Sequence, residues 1–125
     1  MDADITISEI KKWVQAFNDA RDWGRFHHPK ELAISISLEA AELLEHFQWK
    51  EKEPIRAIKN NREFMQSIKN ELSDIMIYSL NFANKLDIDI SEAIRNKIDE
   101  NNRKYPVNLA RGKAEKYTAY EEMKK

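Results

Sequence analysis

The chain has 125 residues, with 21 lysines and arginines against 22 acidic residues, a formal net charge of −1 and no cysteine. This balance of charge excludes the strongly basic surface that is typical of non-specific nucleic-acid binding. The lack of cysteine excludes disulfides and thiolate metal sites, and it agrees with a reducing compartment.

Length and turn content predict one all-α domain. The chain is long enough for one hydrophobic core. It contains only two glycines and three prolines, and few of its segments alternate as strands do. We expect a single domain over residues 1–125, with a core of about residues 6–106 and a partly irregular tail over residues 107–125. No apolar run approaches the ~20 residues of a membrane span, and the acidic start does not resemble a signal peptide. We therefore expect a cytoplasmic protein without membrane or nucleic-acid partners.

The first predicted helix opens at a capping-box pattern. Thr6 is followed three residues later by Glu9, so each can satisfy a free backbone amide of the other. Apolar residues at helical spacing then continue to about residues 19–22. The segment Trp23–Pro29 is predicted to be a loop, in which composition alone favours Trp23 as a residue packed over the end of the helices.

The second predicted helix runs from about Lys30 to residue 47 or 49. Leu32 begins one apolar side, whereas Ile34 and Leu38 lie on the opposite side. A helix that is apolar on two sides must be buried on both. A chain with so few helices can hardly cover both by itself, which predicts a partner subunit.

Two further helices are predicted in the second half of the chain. One begins near Pro54, with a possible break at Asn60–Asn61, and continues to about residue 85. The next is capped by Asp89 or Ser91 and ends before Pro106, because the residue before a proline disfavours helical backbone. The tail beyond it has no clear period, and we expect loop or partial order with a short helix after residue 118.

Two pairs of acidic residues recur at helical spacing beside the apolar stripes of two helices. Glu39 and Glu42 form the first pair, and Glu71 and Asp74 form the second. A three-residue step rotates a helix by about 300°, so each pair shares one side of its helix. Partly buried carboxylates repel one another unless a cation lies between them. Oxygen ligands on rigid helices suit Mg²⁺ or Mn²⁺ better than zinc.

The acidic pairs also agree with other kinds of protein. Acidic pairs at this spacing are also common as salt-bridged surface residues, in which case the chain could be a non-catalytic helical assembly module. A di-iron carboxylate bundle would require two Glu-x-x-His patterns. His46 follows Glu42 by four residues rather than three, so the di-iron interpretation is excluded.

Several short segments together resemble the MazG-like all-α nucleotide pyrophosphohydrolases, and most closely the small dCTP pyrophosphatase-like branch. The paired motifs are E-x-x-E on one helix and E-x-x-D on the next. One departure is visible: Leu38 precedes Glu39, where the broader family often has a second glutamate. The resemblance rests on the following segments, which span Arg21 to Thr118 in order: RDWGRFHHP, LEAAELLEHFQWK, ELSDIMIYSLNFA, NKIDENNRKYPVNLARG and KYT.

The resemblance implies a four-helix-type bundle in a homotetramer, built as a dimer of dimers. It also implies hydrolysis of a nucleoside triphosphate between the α and β phosphates. The four acids match the family's Mg²⁺ ligands, for which Mn²⁺ is a possible substitute, and Glu39 or Glu42 is the expected catalytic base. The substrate-binding residues that it implies are Trp23, His27, Trp49, Tyr78, Lys97, Asn101 and Tyr105.

The preferred base is left open by this pattern. Aromatic rings can stack on any base, so stacking alone does not select cytosine. We expect deoxynucleotides, with dCTP or its modified forms first, and a role in removing unwanted nucleotides from the pool. The alternative within enzymes is a relative that hydrolyses dUTP or a broad range of dNTPs.

Overall fold

The computed structural model describes residues 1–124, and this part of the chain contains helices and no strand. The all-α prediction is therefore confirmed. None of these helices is both long and apolar enough to cross a membrane. In chain order the elements are α1 (Ile7–Ala20), a 3₁₀ helix (Gly24–Phe26), α2 (Pro29–Glu45), α3 (Ile55–Asn60), α4 (Arg62–Lys85), α5 (Ile90–Lys104), α6 (Val107–Ala110) and α7 (Tyr117–Met123).

The chain divides into two compact units, the first over Met1–Ile88 and the second from Asp89 onward. In the first unit, the longest helix, α4, packs against α2 most extensively and against α1 next. In the second unit, α7 contacts both α5 and α6. Its Tyr120 is only 1% exposed, and the ring lies edge-on to that of Tyr105 at 5.5 Å. The expectation of one domain over residues 1–125 stays a prediction.

Side-chain caps define the starts of α1, α4 and α5, and those at Thr6 and Asp89 were predicted. The Glu9 amide donates to Thr6 Oγ1 at 3.2 Å, and the Thr6 amide donates to Glu9 Oε2 at 2.7 Å, which completes the capping box. The predicted break lies at Asn61, whose Oδ1 accepts from the Phe64 amide and so starts α4. Asp89 caps α5 in the same way.

Two boundaries differ from the sequence prediction. Helix α2 ends at Glu45 rather than at residue 47 or 49, because the chain continues in turns in which the Phe47 and Gln48 amides both donate to the Leu44 carbonyl. Trp49 therefore lies beyond the helix and is 89% exposed. The tail is more ordered than expected, since α7 begins at Tyr117.

Large apolar side chains remain uncovered on α1, α2 and α4. On the second side of α2, Leu38 is 60% exposed. A groove of about 270 Å³ between α1 and α4 is lined only by Ile10, Trp13, Val14, Phe17 and Ile77. Within residues 1–124, the buried hydrophobic side chains are few: Val14, Leu32, Phe64, Leu80, Ala83 and Tyr120.

Candidate metal centre and nucleotide site

The packing of α2 on α4 brings three of the four predicted acids together. Glu39 and Glu42 lie one turn apart on α2, and Glu71 faces them from α4. Each offers one carboxylate oxygen, and these oxygens all lie within 4.8 Å of one another. We call these three residues the acid cluster.

The acid cluster concentrates negative charge, and two of its carboxylate oxygens have no hydrogen-bond partner. Glu39 Oε2 and Glu71 Oε2 are buried without a hydrogen-bond partner. Burial raises the pKa of Glu39 to about 7, helped by a hydrogen bond and the charge of Glu42 and then by the charges of Asp74 and Glu71. Orphaned carboxylate oxygens of this kind are costly unless a cation satisfies them. The donor set of oxygens alone fits a hard divalent ion such as Mg²⁺ or Mn²⁺.

Asp74, the fourth predicted ligand, is exposed on α4 and is not among the three clustered acids. It lies three residues after Glu71, so the two share one side of the helix. Its charge nevertheless contributes to the raised pKa of Glu39. Asp74 is therefore close enough to add to the field of the acid cluster.

His46 is a neighbour of the acid cluster that the sequence did not pair with it. Its Nε2 lies 3.5 Å from Glu71 Oε1, and its ring lies edge-on to Phe64 at 6.3 Å. The sequence shows His46 four residues after Glu42, but it indicates no partner for His46 on another helix.

Trp23 and His27, both predicted to bind substrate, lie together in the loop between α1 and α2. The Trp23 ring is edge-on to Phe17 at 5.6 Å and to His27 at 6.4 Å. Trp23 is 43% exposed, so its indole packs against Phe17 in the last turn of α1 and is also partly open to solvent. Burial, and then the charge of Lys85, lower the pKa of His27.

Tyr78 and Trp49 complete the predicted aromatic set. Tyr78 is half-buried on α4 and follows Asp74 by four residues, which places it on the same side of that helix. Trp49 stands in the turns after α2, and its exposed indole is open to contact with a ligand or another chain.

The second unit holds the remaining predicted substrate-binding residues. Lys97 and Lys104 both pair with Glu100, at 3.2 and 3.0 Å, so one side of α5 carries both cations. Hydrogen bonds from Lys104 and then Lys97 lower the pKa of Glu100. Asn101 is half-buried on the same helix, and its carbonyl accepts from the Tyr105 amide at 2.8 Å.

Comparison with known proteins matches this fold and acid cluster to one class. The MazG-like family model matches residues 34–119, a range that includes the whole acid cluster. The chain belongs to the MazG-like family.

Comparison with individual proteins shows which members of that family are similar to this chain. The chain is 40% identical to dCTP pyrophosphatase 1 of Bos taurus over 90% of its own length and 67% of the relative's. It is 38% identical to dCTP pyrophosphatase 1 of Homo sapiens over 90% of its own length and 66% of the relative's. The chain thus spans about two thirds of these curated relatives. A crystal structure of a pyrophosphatase from Archaeoglobus fulgidus is similar with a TM-score of 0.71 and 36% identity, over 79% of this chain and 91% of that one.

Proposed function

We propose that this protein is a divalent-metal-dependent nucleoside triphosphate pyrophosphohydrolase that converts a dNTP, with dCTP or a modified dCTP preferred, into the dNMP and pyrophosphate. The observation that carries this proposal is the acid cluster with its two buried, unpartnered oxygens. The similarity to dCTP pyrophosphatases supports the same reaction class. The role would be removal of unwanted nucleotides from the cytoplasmic pool.

Glu39, Glu42, Glu71 and Asp74 would hold Mg²⁺, or Mn²⁺ in its place. When bound, the ion would supply charge neutralisation at the phosphates and orientation of the attacking water. A triphosphate carries several negative charges, and four carboxylates would otherwise repel it. The requirement for a metal follows from that repulsion.

Glu39 or Glu42 would accept the proton of the attacking water. The pKa of Glu39 is about 7 in the metal-free protein, which is close to the value that suits a general base at neutral pH. Glu42 is exposed and can reach solvent. An acid that the metal does not fully engage would retain this basicity.

The aromatic and basic residues would bind the rest of the nucleotide. Trp23, His27, Tyr78 and Trp49 would surround the base, where stacking contributes about 1–3 kcal/mol per base. Lys97 would contact the phosphate chain, and Asn101 and Tyr105 the phosphate or sugar. A site packed against the 2′ carbon of the sugar would reject ribonucleotides by sterics.

The test is product analysis with dCTP. We expect Mg²⁺-dependent formation of dCMP and pyrophosphate, followed by phosphorus NMR. The Glu42→Gln variant should lose turnover, whereas Glu45→Gln removes an exposed acid of the same helix outside the acid cluster and should keep it. Orthophosphate and dCDP as primary products would contradict cleavage between the α and β phosphates. Parallel assays with dUTP and the other dNTPs distinguish the dCTP preference from a broader activity.

We further propose that the protein acts as a homotetramer, a dimer of dimers. The support is the uncovered apolar surface: Leu38 is 60% exposed on the second side of α2, and the groove between α1 and α4 is wholly apolar. Contiguous exposed apolar surface of this kind marks an interaction site. A second copy of the chain is the occupant that closed symmetry provides.

A further inference from the structure

One buried polar contact joins the substrate loop to α4. Asn81 is only 4% exposed, and its Nδ2 lies 2.9 Å from His27 Nδ1, across 54 residues of sequence. One turn later on α4, Lys85 Nζ donates to the Gly24 carbonyl of the same loop at 2.8 Å. Helix α4 therefore holds both ends of the short segment Gly24–His27.

The Asn81 contact determines where His27 carries its proton. In the orientation that the structure gives the Asn81 amide, its nitrogen faces His27 Nδ1, and because an amide nitrogen only donates, Nδ1 accepts. A neutral imidazole has one protonated nitrogen, and the proton then lies on Nε2. In a doubly protonated ring, the Nδ1–H group of His27 would point at the amide N–H of Asn81. The nearby positive charge of Lys85 also disfavours a positively charged ring.

The contacts that His27 makes within Met1–Ile88 engage its Nδ1 and leave its Nε2 without a hydrogen-bond partner. The loop is held at Gly24 and His27, and the Trp23 ring lies edge-on to the His27 ring. His27 therefore offers a single fixed N–H donor next to an exposed aromatic face. Such a donor can bind a carbonyl or an unprotonated ring nitrogen, but it cannot bind an amino group.

We propose that Asn81 is a positioning residue that holds His27 as a neutral Nε2–H donor, and that this donor binds an acceptor atom on the substrate's base. For cytosine the available acceptors are O2 and N3. This inference rests on the proposed function, because it takes His27 to be part of the nucleotide site. The position of Asn81 agrees with it: Asn81 follows Asp74 by seven residues and Tyr78 by three, which places all of them on one side of α4.

The first experiment needs no variant and no substrate. Long-range proton–nitrogen NMR assigns the tautomer of each histidine, of which the chain has three. We expect His27 to be neutral with its proton on Nε2. A proton on Nδ1, which the opposite orientation of the Asn81 amide would require, overturns the proposal.

The second experiment replaces the donor with an acceptor of nearly the same shape. At a pH where the ring is neutral, Asn81→Asp should move the His27 proton to Nδ1 and so leave Nε2 without a hydrogen to donate. We expect KM for dCTP to rise by about tenfold with kcat nearly unchanged, because a contact made equally in ground state and transition state changes KM alone. Asn84→Asp is the matched control, since Asn84 Nδ2 donates instead to the Lys11 carbonyl. Its KM should equal that of the parent.

A double-mutant cycle separates positioning from general damage to the fold. In a His27→Ala background, Asn81→Asp should have no further effect on KM. A further rise in KM in that background overturns the proposal. So does an unchanged KM in the single variant Asn81→Asp if NMR shows that its tautomer has moved. A parent enzyme that hydrolyses no dNTP would instead contradict the proposed function, and the tautomer measurement would still be valid.

If Asn81→Asp does not fold, His27→Gln and His27→Asn test the same point. The glutamine amide reaches the position of Nε2 and should preserve KM better than asparagine, and equal losses count against the proposal.

Discussion

Replacing Glu39 by glutamine should stabilise the metal-free protein, and only at higher pH. The folded protein raises the pKa of this carboxyl from 4.5 to about 7, chiefly by burial. As the pH rises between these values, the unfolded chain releases the proton while the folded protein retains it, so the free energy of unfolding falls across this window. Glutamine keeps the volume and removes the ionisation.

The size of the effect follows from the same pKa. The full difference between the unfolded and folded pKa values of Glu39 corresponds to about 3 kcal/mol of unfolding free energy, which is lost once the carboxyl is ionised in the folded protein. Glu39 itself is only half-buried and Glu42 is exposed, so water screens part of the effect, and we take about half of that, roughly 1.5 kcal/mol. With a urea dependence of about 2 kcal/mol per molar, the midpoint should move by roughly 0.7 M.

Urea unfolding in the presence of a chelator measures the difference in unfolding free energy between Glu39→Gln and the parent. The measurements are made at about pH 5 and about pH 8, between which most of the titration of Glu39 takes place. We expect Glu39→Gln and the parent to be nearly equal at the lower pH and to differ at the higher one. The control Glu45→Gln should match the parent at both. The reasoning is refuted if Glu39→Gln is less stable at the higher pH, or if its advantage does not depend on pH.

Three other predictions concern the metal, the assembly and the base. Glu42→Gln and Asp74→Asn should each lower Mg²⁺ affinity by about tenfold or more without lowering the melting temperature of the metal-free protein. Calorimetric titration at fixed pH measures the affinity, and an unchanged affinity contradicts the metal centre. Light scattering at micromolar concentration should give close to four times the chain mass of 14.8 kDa, and a monomer with full activity would contradict the tetramer. Trp49→Ala should raise KM for dCTP while moving the melting temperature by less than about 4 °C, because its side chain is 89% exposed; an unchanged KM would place Trp49 outside the site.

The features that the sequence predicted well are local. A capping box, a cap at Asp89 and a break at Asn61 each depend on residues within one turn, and all are present. The acid cluster was predictable for a related reason. Helical spacing put each acidic pair beside an apolar stripe, and two apolar stripes pack against each other.

Contacts between distant residues could not be read in this way. His46 and Glu71 lie on different helices, and Asn81 and His27 are 54 residues apart. No periodic pattern relates such residues, because their approach depends on the path of a loop. One signal was nevertheless present: Asn81 interrupts the otherwise apolar run Leu80–Ala83, and a buried asparagine requires a hydrogen-bond partner.

Because α4 carries two of the proposed metal ligands and also holds the loop that contains His27, its length is constrained more strictly than its composition. Asp74 and Lys85 are separated by about 16 Å along the helix axis at 1.5 Å per residue. Many substitutions between them would leave that spacing unchanged. Inserting or deleting a single residue there would rotate one half by about 100° relative to the other. The acids would then face away from the loop that Asn81 and Lys85 hold. Related chains that keep this site should therefore differ along this stretch by replacement and not by gain or loss of residues.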